Sequence, residues 1–320
     1  MATPTPIDPR SIQPGGGFCM SLELAWGRLR RAWLRRLFPG YVRRMAAQRH
    51  GNCPGCSHDA VDARDLKFYR NVCGCQFRDQ DDPCRRLPGI PLARAGLGEV
   101  VFFSLVLLSA AIVLVLGALF LHWLFWLPVG VLLILWVFVI SFFRDPERPI
   151  PTDPDVLVSP ADGTVTHVGA VDDDAFPGKK AYRISIFLSV FNVHVNRVPR
   201  SSTVLQVRYF PGAFLDARHV ECAVRNEQLW LDLEEAGTGR ILRVKQISGA
   251  IARRIVCWVR PGELLHRGDR FGMIKFGSRT EVLLPINDAF DVRVKPGDKV
   301  KGGETILLSF APTLTPLQRE

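Results

Sequence analysis

The sequence predicts a mainly β domain carried behind a two-helix membrane hairpin and a small Cys-rich segment. Three observations lead there. Residues 100–143 contain no Asp, Glu, Lys or Arg, a charge-free run long enough for two spans of roughly 20 residues each. Beyond it, short β-rich runs alternate with turn signals: Asp162-Gly163, Pro211-Gly212, Pro261-Gly262 and Pro296-Gly297-Asp298. Before it, five of the eight cysteines fall within 53–84. The 320 residues suit one or two domains, and 48% hydrophobic content excludes a fully disordered chain. No Gly-X-Y period or 20–50-residue repeat is visible, which excludes collagen and solenoids.

Residues 1–20 are rich in Pro and Gly and are expected to be disordered. Residues 21–50 read as a basic amphipathic helix. Leu22, Trp26, Leu29, Trp33 and Leu37 recur at helical spacing with Arg28, Arg31 and Arg35 off that stripe, and Pro39-Gly40 ends it. Eight Arg against Glu23 give this stretch a net charge of +7. Such a face suits an anionic membrane surface; it equally suits packing on a neighbouring domain. Nucleic acid is not an expected partner beside two membrane spans.

Residues 51–98 hold Cys53-Pro-Gly-Cys56 and Cys73-Gly-Cys75, with Cys84 and His58 nearby. Clustered thiols of this kind suit a local metal site in a reducing compartment better than a disulfide framework. Cys53, Cys56, Cys73 and Cys75 fit a tetrahedral structural zinc ribbon; unligated thiols are the other reading.

Residues 99–143 are the hairpin, with spans near 99–121 and 126–143, a break favoured by Pro128, and Trp123 and Trp126 suited to an interface. A buried helix pair in a soluble core is the other reading. The position of the run excludes a signal peptide. Arg94 before the hairpin and Arg144 and Arg148 after it place both flanks on the cytoplasmic face of the cell (inner) membrane.

Residues 144–320 form the β domain, with 214–228 the best helix candidate. Residues 187–197 read as one strand whose alternation puts Asn192, His194 and Asn196 on one face. Taken alone, His194 fits a hydrogen-bonded structural His as readily as a site, and Asp162-Gly163 is most simply a turn. No G-x-S-x-G elbow surrounds Ser278, so a hydrolase is excluded. No P-loop, Rossmann fingerprint or H-E-x-x-H occurs. Residues 158–165 and 294–305 are similar to the sandwich-hybrid β fold of biotinyl and lipoyl carrier domains. That offers a non-enzymatic alternative, a membrane-anchored carrier-like module, although Lys275 matches the carrier-lysine pattern poorly.

Seven ordered segments between about 142 and 308 resemble the phosphatidylserine decarboxylase proenzyme family in its short bacterial and archaeal form. They are Phe142-Phe143-Arg144-Asp145-Pro146; Ser159-Pro160-Ala161-Asp162-Gly163; Ser189-Val190-Phe191-Asn192-Val193-His194-Val195-Asn196-Arg197; Gly212 with Phe214-Leu215; Asn226-Glu227; Gly249 with 252–256; and Arg270-Phe271-Gly272-Met273-Ile274 leading to Phe276-Gly277-Ser278-Arg279. The resemblance implies a lyase that converts phosphatidylserine to phosphatidylethanolamine. It implies self-cleavage between Gly277 and Ser278, which turns Ser278 into a pyruvoyl group whose carbonyl acts as the electron sink. It implies His194 as general base or proton donor, Asp162 as its orienting carboxylate, and a large chain 1–277 paired with a small chain 278–320. Where some longer relatives have a second His, this chain has Arg197. Arg197, Arg253 and Arg254 are candidates for the lipid phosphate or carboxylate, or ordinary surface charge. The rival enzyme reading is a pyruvoyl decarboxylase of another amino substrate. A homo-oligomer stays open.

Overall fold

The computed structural model describes residues 18–311 except 53–55, 57–59, 70, 73, 79–80, 82–88, 220, 251–253, 276 and 287–288. The disorder expected at 1–20 falls almost wholly outside the described residues, as do Cys53, His58, Cys73, Cys84 and Arg253.

The basic stretch is two helices, α1 (Phe18–Leu37) and α2 (Pro39–Ala47), with Pro39 at the first turn of α2. Proline ends a helix but also starts one, because its missing N–H is unpaired there in any case. Behind α1, Asp62 caps a turn of 3₁₀ helix, and Leu66, Phe68, Tyr69 and Cys75 form a small buried cluster with Leu24 against it.

The charge-free run forms α3 (Leu97–Phe120) and α4 (Trp126–Phe142); with the 3₁₀ turns that precede them they make apolar spans Arg94–Phe120 and Trp123–Phe142, each long and apolar enough to cross a membrane and almost wholly uncovered. They pair through a Trp136 Nε1–H bond to Ser104 Oγ of 2.9 Å. The base of the hairpin is not free. Ala93, Val100, Phe142 and Phe143 share one buried cluster with Val193, Val195 and Met273 of the β domain.

Among the described residues the β domain has fourteen strands: β1 (Val156–Val158), β2 (Gly163–Asp172), β3 (Lys180–Leu188), β4 (Val195–Arg197), β5 (Ser202–Phe210), β6 (Gln228–Glu235), β7 (Ile241–Ser248), β8 (Arg254–Cys257), β9 (Leu264–Leu265), β10 (Arg270–Lys275), β11 (Ser278–Pro285), β12 (Phe290–Val292), β13 (Lys299–Val300) and β14 (Ile306–Phe310). They form an eight-stranded sheet in the order β13-β2-β3-β11-β7-β6-β5-β9 and two three-stranded sheets, β1-β14-β12 and β4-β10-β8. The domain is mainly β, as the turn spacing predicts. The sandwich-hybrid-like β barrel expected for this domain takes the form of an eight-stranded sheet that runs from β13 to β9, with two small sheets beside it. Leu, Ile and Val from both large and small sheets fill a single core.

Two sequence expectations give way here. The strand expected over 187–197 is interrupted. Asn192 Oδ1 accepts hydrogen bonds from the Ser189 N–H (2.9 Å) and Ser189 Oγ (2.7 Å), closing a turn between β3 and β4. This side-chain turn overrides the alternating pattern, so His194 precedes β4 and does not share a strand face with Asn192. The helix expected over 214–228 shrinks to α5 (Cys222–Arg225).

Candidate active site

Ser278 opens β11, paired with Leu188 of β3 on one side and Ser248 of β7 on the other. A central strand position buries it fully, and its Oγ has no hydrogen-bond partner among the described residues. A buried hydroxyl without a partner costs free energy, which marks the position as one where another demand outweighs stability.

Gly277 holds φ at +67°, a left-handed conformation that glycine adopts without a Cβ penalty. Its carbonyl lies against Gly249: a Cβ on Gly249 would sit 2.6 Å from Gly277 O. Gly249 therefore makes room for the carbonyl that precedes Ser278. Around it, Asn226 Nδ2 donates to Ser248 O (2.7 Å) and Leu215 O (2.8 Å), while its Oδ1 accepts from the Leu215 N–H (2.8 Å). Gly249 and Asn226 occur in the sequence motifs, but the contact that gives them meaning joins segments remote in sequence.

His194 is fully buried. Its Nδ1 donates to Asn192 O at 2.9 Å, which leaves Nε2 as the acceptor for the Gly277 N–H at 3.3 Å. The ring lies over Phe142, centroids 4.2 Å apart. Burial pulls its pKa down to about 4; the bond to Asn192 O opposes this and the Arg144 charge adds to it. His194 is thus a neutral imidazole with its lone pair directed at the residue before Ser278.

Asp162 is elsewhere engaged. Its carboxylate accepts from Arg148 Nη2 (2.7 Å) and the Gly302 N–H (2.8 Å). Burial raises its pKa, opposed by the Gly302 bond and by Arg148, Arg144 and Arg197. Both ring nitrogens of His194 go to backbone groups, so the structure does not bring Asp162 and His194 together as an orienting pair. The physical reason is competition: a buried carboxylate takes the nearby guanidinium. Arg197 is likewise consumed, binding Asp145 (3.1 Å), Gly268 O and Pro146 O. Arg254 is buried beside Glu23, 3.8 Å away. Lys275, weighed above for a carrier role, is buried with its Nζ on the Glu99 carboxylate.

Asn196 ties the site together. Its Nδ2 donates to Thr280 Oγ1 (3.1 Å) and its Oδ1 accepts from Gln246 Nε2 (2.8 Å), linking β4, β11 and β7. Beyond it, Arg279 pairs with Glu281 at 2.8 Å and donates to Ser185 Oγ at 3.0 Å.

The zinc expectation finds no support. Cys53 and Cys73 lie outside the described residues, Cys56 is disulfide-bonded rather than a free thiolate ligand, and Cys75 is buried in the small cluster. Among the described residues no group of three or more His, Cys, Asp or Glu is placed to hold a metal ion.

Comparison with known proteins adds the remaining fact. Residues 135–308 match the family model described as phosphatidylserine decarboxylase. The phosphatidylserine decarboxylase proenzyme of Rhodopirellula baltica is 42% identical over 248 residues, covering 77% of this chain and 99% of that protein. The corresponding proenzymes of Symbiobacterium thermophilum and Trichlorobacter lovleyi are 46% and 48% identical, over 62% and 57% of this chain and 90% and 80% of theirs.

Proposed function

The chain belongs to the phosphatidylserine decarboxylase family, and from that membership we propose that it makes its pyruvoyl group from Ser278 by breaking the Gly277–Ser278 bond. It is a lyase that converts phosphatidylserine to phosphatidylethanolamine. The observation that carries the assignment of Ser278 is its buried, unpartnered hydroxyl beside a left-handed glycine and a neutral imidazole.

In processing, Ser278 Oγ adds to the Gly277 carbonyl carbon. The bond between Gly277 C and Ser278 N then breaks, moving the acyl group from nitrogen to Ser278 Oγ and leaving Ser278 a free amine. Removal of the Ser278 α-proton expels the Gly277 carboxylate as leaving group. Water then replaces nitrogen at the remaining dehydroalanine, releasing ammonia and leaving the ketone. His194 Nε2 is the base we assign to these proton movements. It is held by Asn192 rather than by a carboxylate, so it stays uncharged until it takes a proton. The site fits the group: Ser278 directly follows the left-handed Gly277, and Gly249 clears the space that the Gly277 carbonyl needs. The ketone supplies the electrophile that engages the substrate amine and accepts the electron pair left by carbon dioxide.

We assign α3 and α4 as a membrane hairpin with the β domain on the cytoplasmic face. Their apolar surfaces are largely uncovered and arginines flank both ends. The hairpin base packs against the segment bearing His194, which holds the site at the level of the lipid headgroups.

Intact-mass measurement tests the processing. The expected products are chains 1–277 and 278–320, the smaller with a blocked, hydroxylamine-reactive N-terminus. Ser278→Ala should stay at 35.8 kDa and release no carbon dioxide from phosphatidylserine. A wild-type chain that decarboxylates while unbroken overturns the assignment.

A further inference from the structure

Helix α1 is inside out. It docks on the rest of the protein largely through ion pairs, with Leu24 on the small buried cluster beside them: Arg30 binds Asp62 and Asp65, Arg31 binds Asp65 at 3.2 Å, and Glu23 binds Lys67 at 2.5 Å. Its apolar side faces outward, with Trp26 63% and Trp33 52% exposed and Leu29, Leu37 and the following Phe38 similarly uncovered. In a water-soluble domain an amphipathic helix buries the opposite face. Trp26, Leu29, Trp33 and Leu37 fall within one sector of the helix at 100° per residue, and Trp26, Leu29, Trp33, Leu34 and Tyr41, with Arg30, Asp62 and Arg64 at the docked side, line an open groove of about 440 Å³.

What covers this stripe is indicated by charge and by place. Arg36 is exposed at the edge of the stripe, Arg28 and Arg35 are exposed on the far side of the helix, and Arg43 and Arg44 are exposed on α2. The place is fixed by an ion network. Glu23 lies 3.8 Å from Arg254 and feels the Lys275 charge, and Lys275 binds Glu99 in the first turn of α3. Helix α1 is therefore moored at the end of the β domain from which the hairpin rises.

We propose that α1 lies in the surface of an anionic bilayer, with Trp26, Leu29, Trp33 and Leu37 inserted and the arginines at the headgroups. Trp and Leu on one face with Arg beside them suit the headgroup boundary, and each arginine adds attraction to an anionic leaflet. This rests on the membrane reading of α3 and α4 but not on the processing chemistry. It gives the region outside the family match a role: it adds a lipid-charge-dependent contact to a lipid-metabolising site whose own substrate is anionic.

The full chain carrying a photoreactive residue at the stripe (Trp33→p-benzoylphenylalanine) is reconstituted in phosphatidylcholine vesicles with or without phosphatidylglycerol, irradiated and analysed by mass. The expected result is a lipid adduct at least about fivefold more abundant in the anionic vesicles. Changing Arg36, Arg43 and Arg44 together to Gln should abolish that enhancement. An adduct to a second copy, or to another segment of the same chain, overturns the proposal by naming a different cover. Adducts insensitive to lipid charge overturn it too. A chain that floats with vesicles but gives no lipid adduct defeats the helix proposal alone, whereas one that does not float defeats the hairpin as well. The mass of the 278–320 chain in the same samples reports on processing separately.

Discussion

In the proposed processing, Gly277, Gly249 and Ser278 divide one task. The first supplies a backbone twist, the second an absence of side chain, the third the nucleophile. Gly249→Ala would put a methyl 2.6 Å from Gly277 O, a distance that backbone atoms cannot accept without moving. The expected outcome is a folded, membrane-bound chain whose cleavage is at least about tenfold slower, measured as the fraction cut over time. His194→Gln keeps much of the ring's volume and a polar tip but not its basicity, and should slow cleavage by about 10²–10⁴. Because burial holds the pKa of His194 at about 4, wild-type cleavage should be flat with pH from about 5.5 upward rather than rising through the usual imidazole range. The stability consequence has the matching sign. Between about 6.5 and about 4 the unfolded chain binds a proton that the folded chain refuses, so this group's contribution to stability is full above that window and lost as pH falls through it. Denaturant titrations of the Ser278→Ala chain across that range check it. Ser278, Gly277 and His194 were legible in the sequence because a motif names them. The partnership of Asp162 was not, since Arg148 and Gly302 compete for it only in the folded chain.

Turns decide more here than strands do. Alternation in Phe-Leu-Ser-Val-Phe-Asn-Val-His-Val-Asn satisfies the strand pattern, yet Ser189 and Asn192 close a turn through two side-chain hydrogen bonds. The same turn presents Asn192 O to His194 Nδ1, so it sets the tautomer. Asn192→Ala should therefore do two things. It removes bonds that together contribute about 1–2 kcal/mol, seen as a melting temperature lower by a few degrees, and it slows cleavage by loosening the ring. A change that lowered stability and left cleavage untouched would separate the turn from the base. The apolar helices were readable to within two residues at each end, because a charge-free run has few alternatives. The helix over 214–228 was not: its polar residues are spent on local bonds such as Asp216 to Arg218, which favour turns over a continuing helix.

The strands within residues 278–311 are woven through the β domain. Of these strands, β11 lies between β3 and β7 in the large sheet, β13 pairs with β2 at its edge, and β14 sits between β1 and β12 in a second sheet. Chains 1–277 and 278–320 should accordingly elute together in size-exclusion chromatography in mild detergent after cleavage, and part only in denaturant. Separation under native conditions would contradict the sheet order. The mainly β character was legible from turn spacing. The order of strands was not, since it depends on pairings such as Ser278 with Ser248 that no local pattern encodes.

Under the proposed processing, a cut at the head of a central strand has a consequence for quality control. The hydroxyl, the imidazole and the cleared carbonyl meet only once β3, β7 and β11 have zipped and the hairpin base has closed over the ring. A polypeptide that misassembles lacks the juxtaposition and so never generates its ketone. Catalytic competence is in this way granted only to correctly built molecules, and a reactive carbonyl is never unmasked on a stray, half-formed chain.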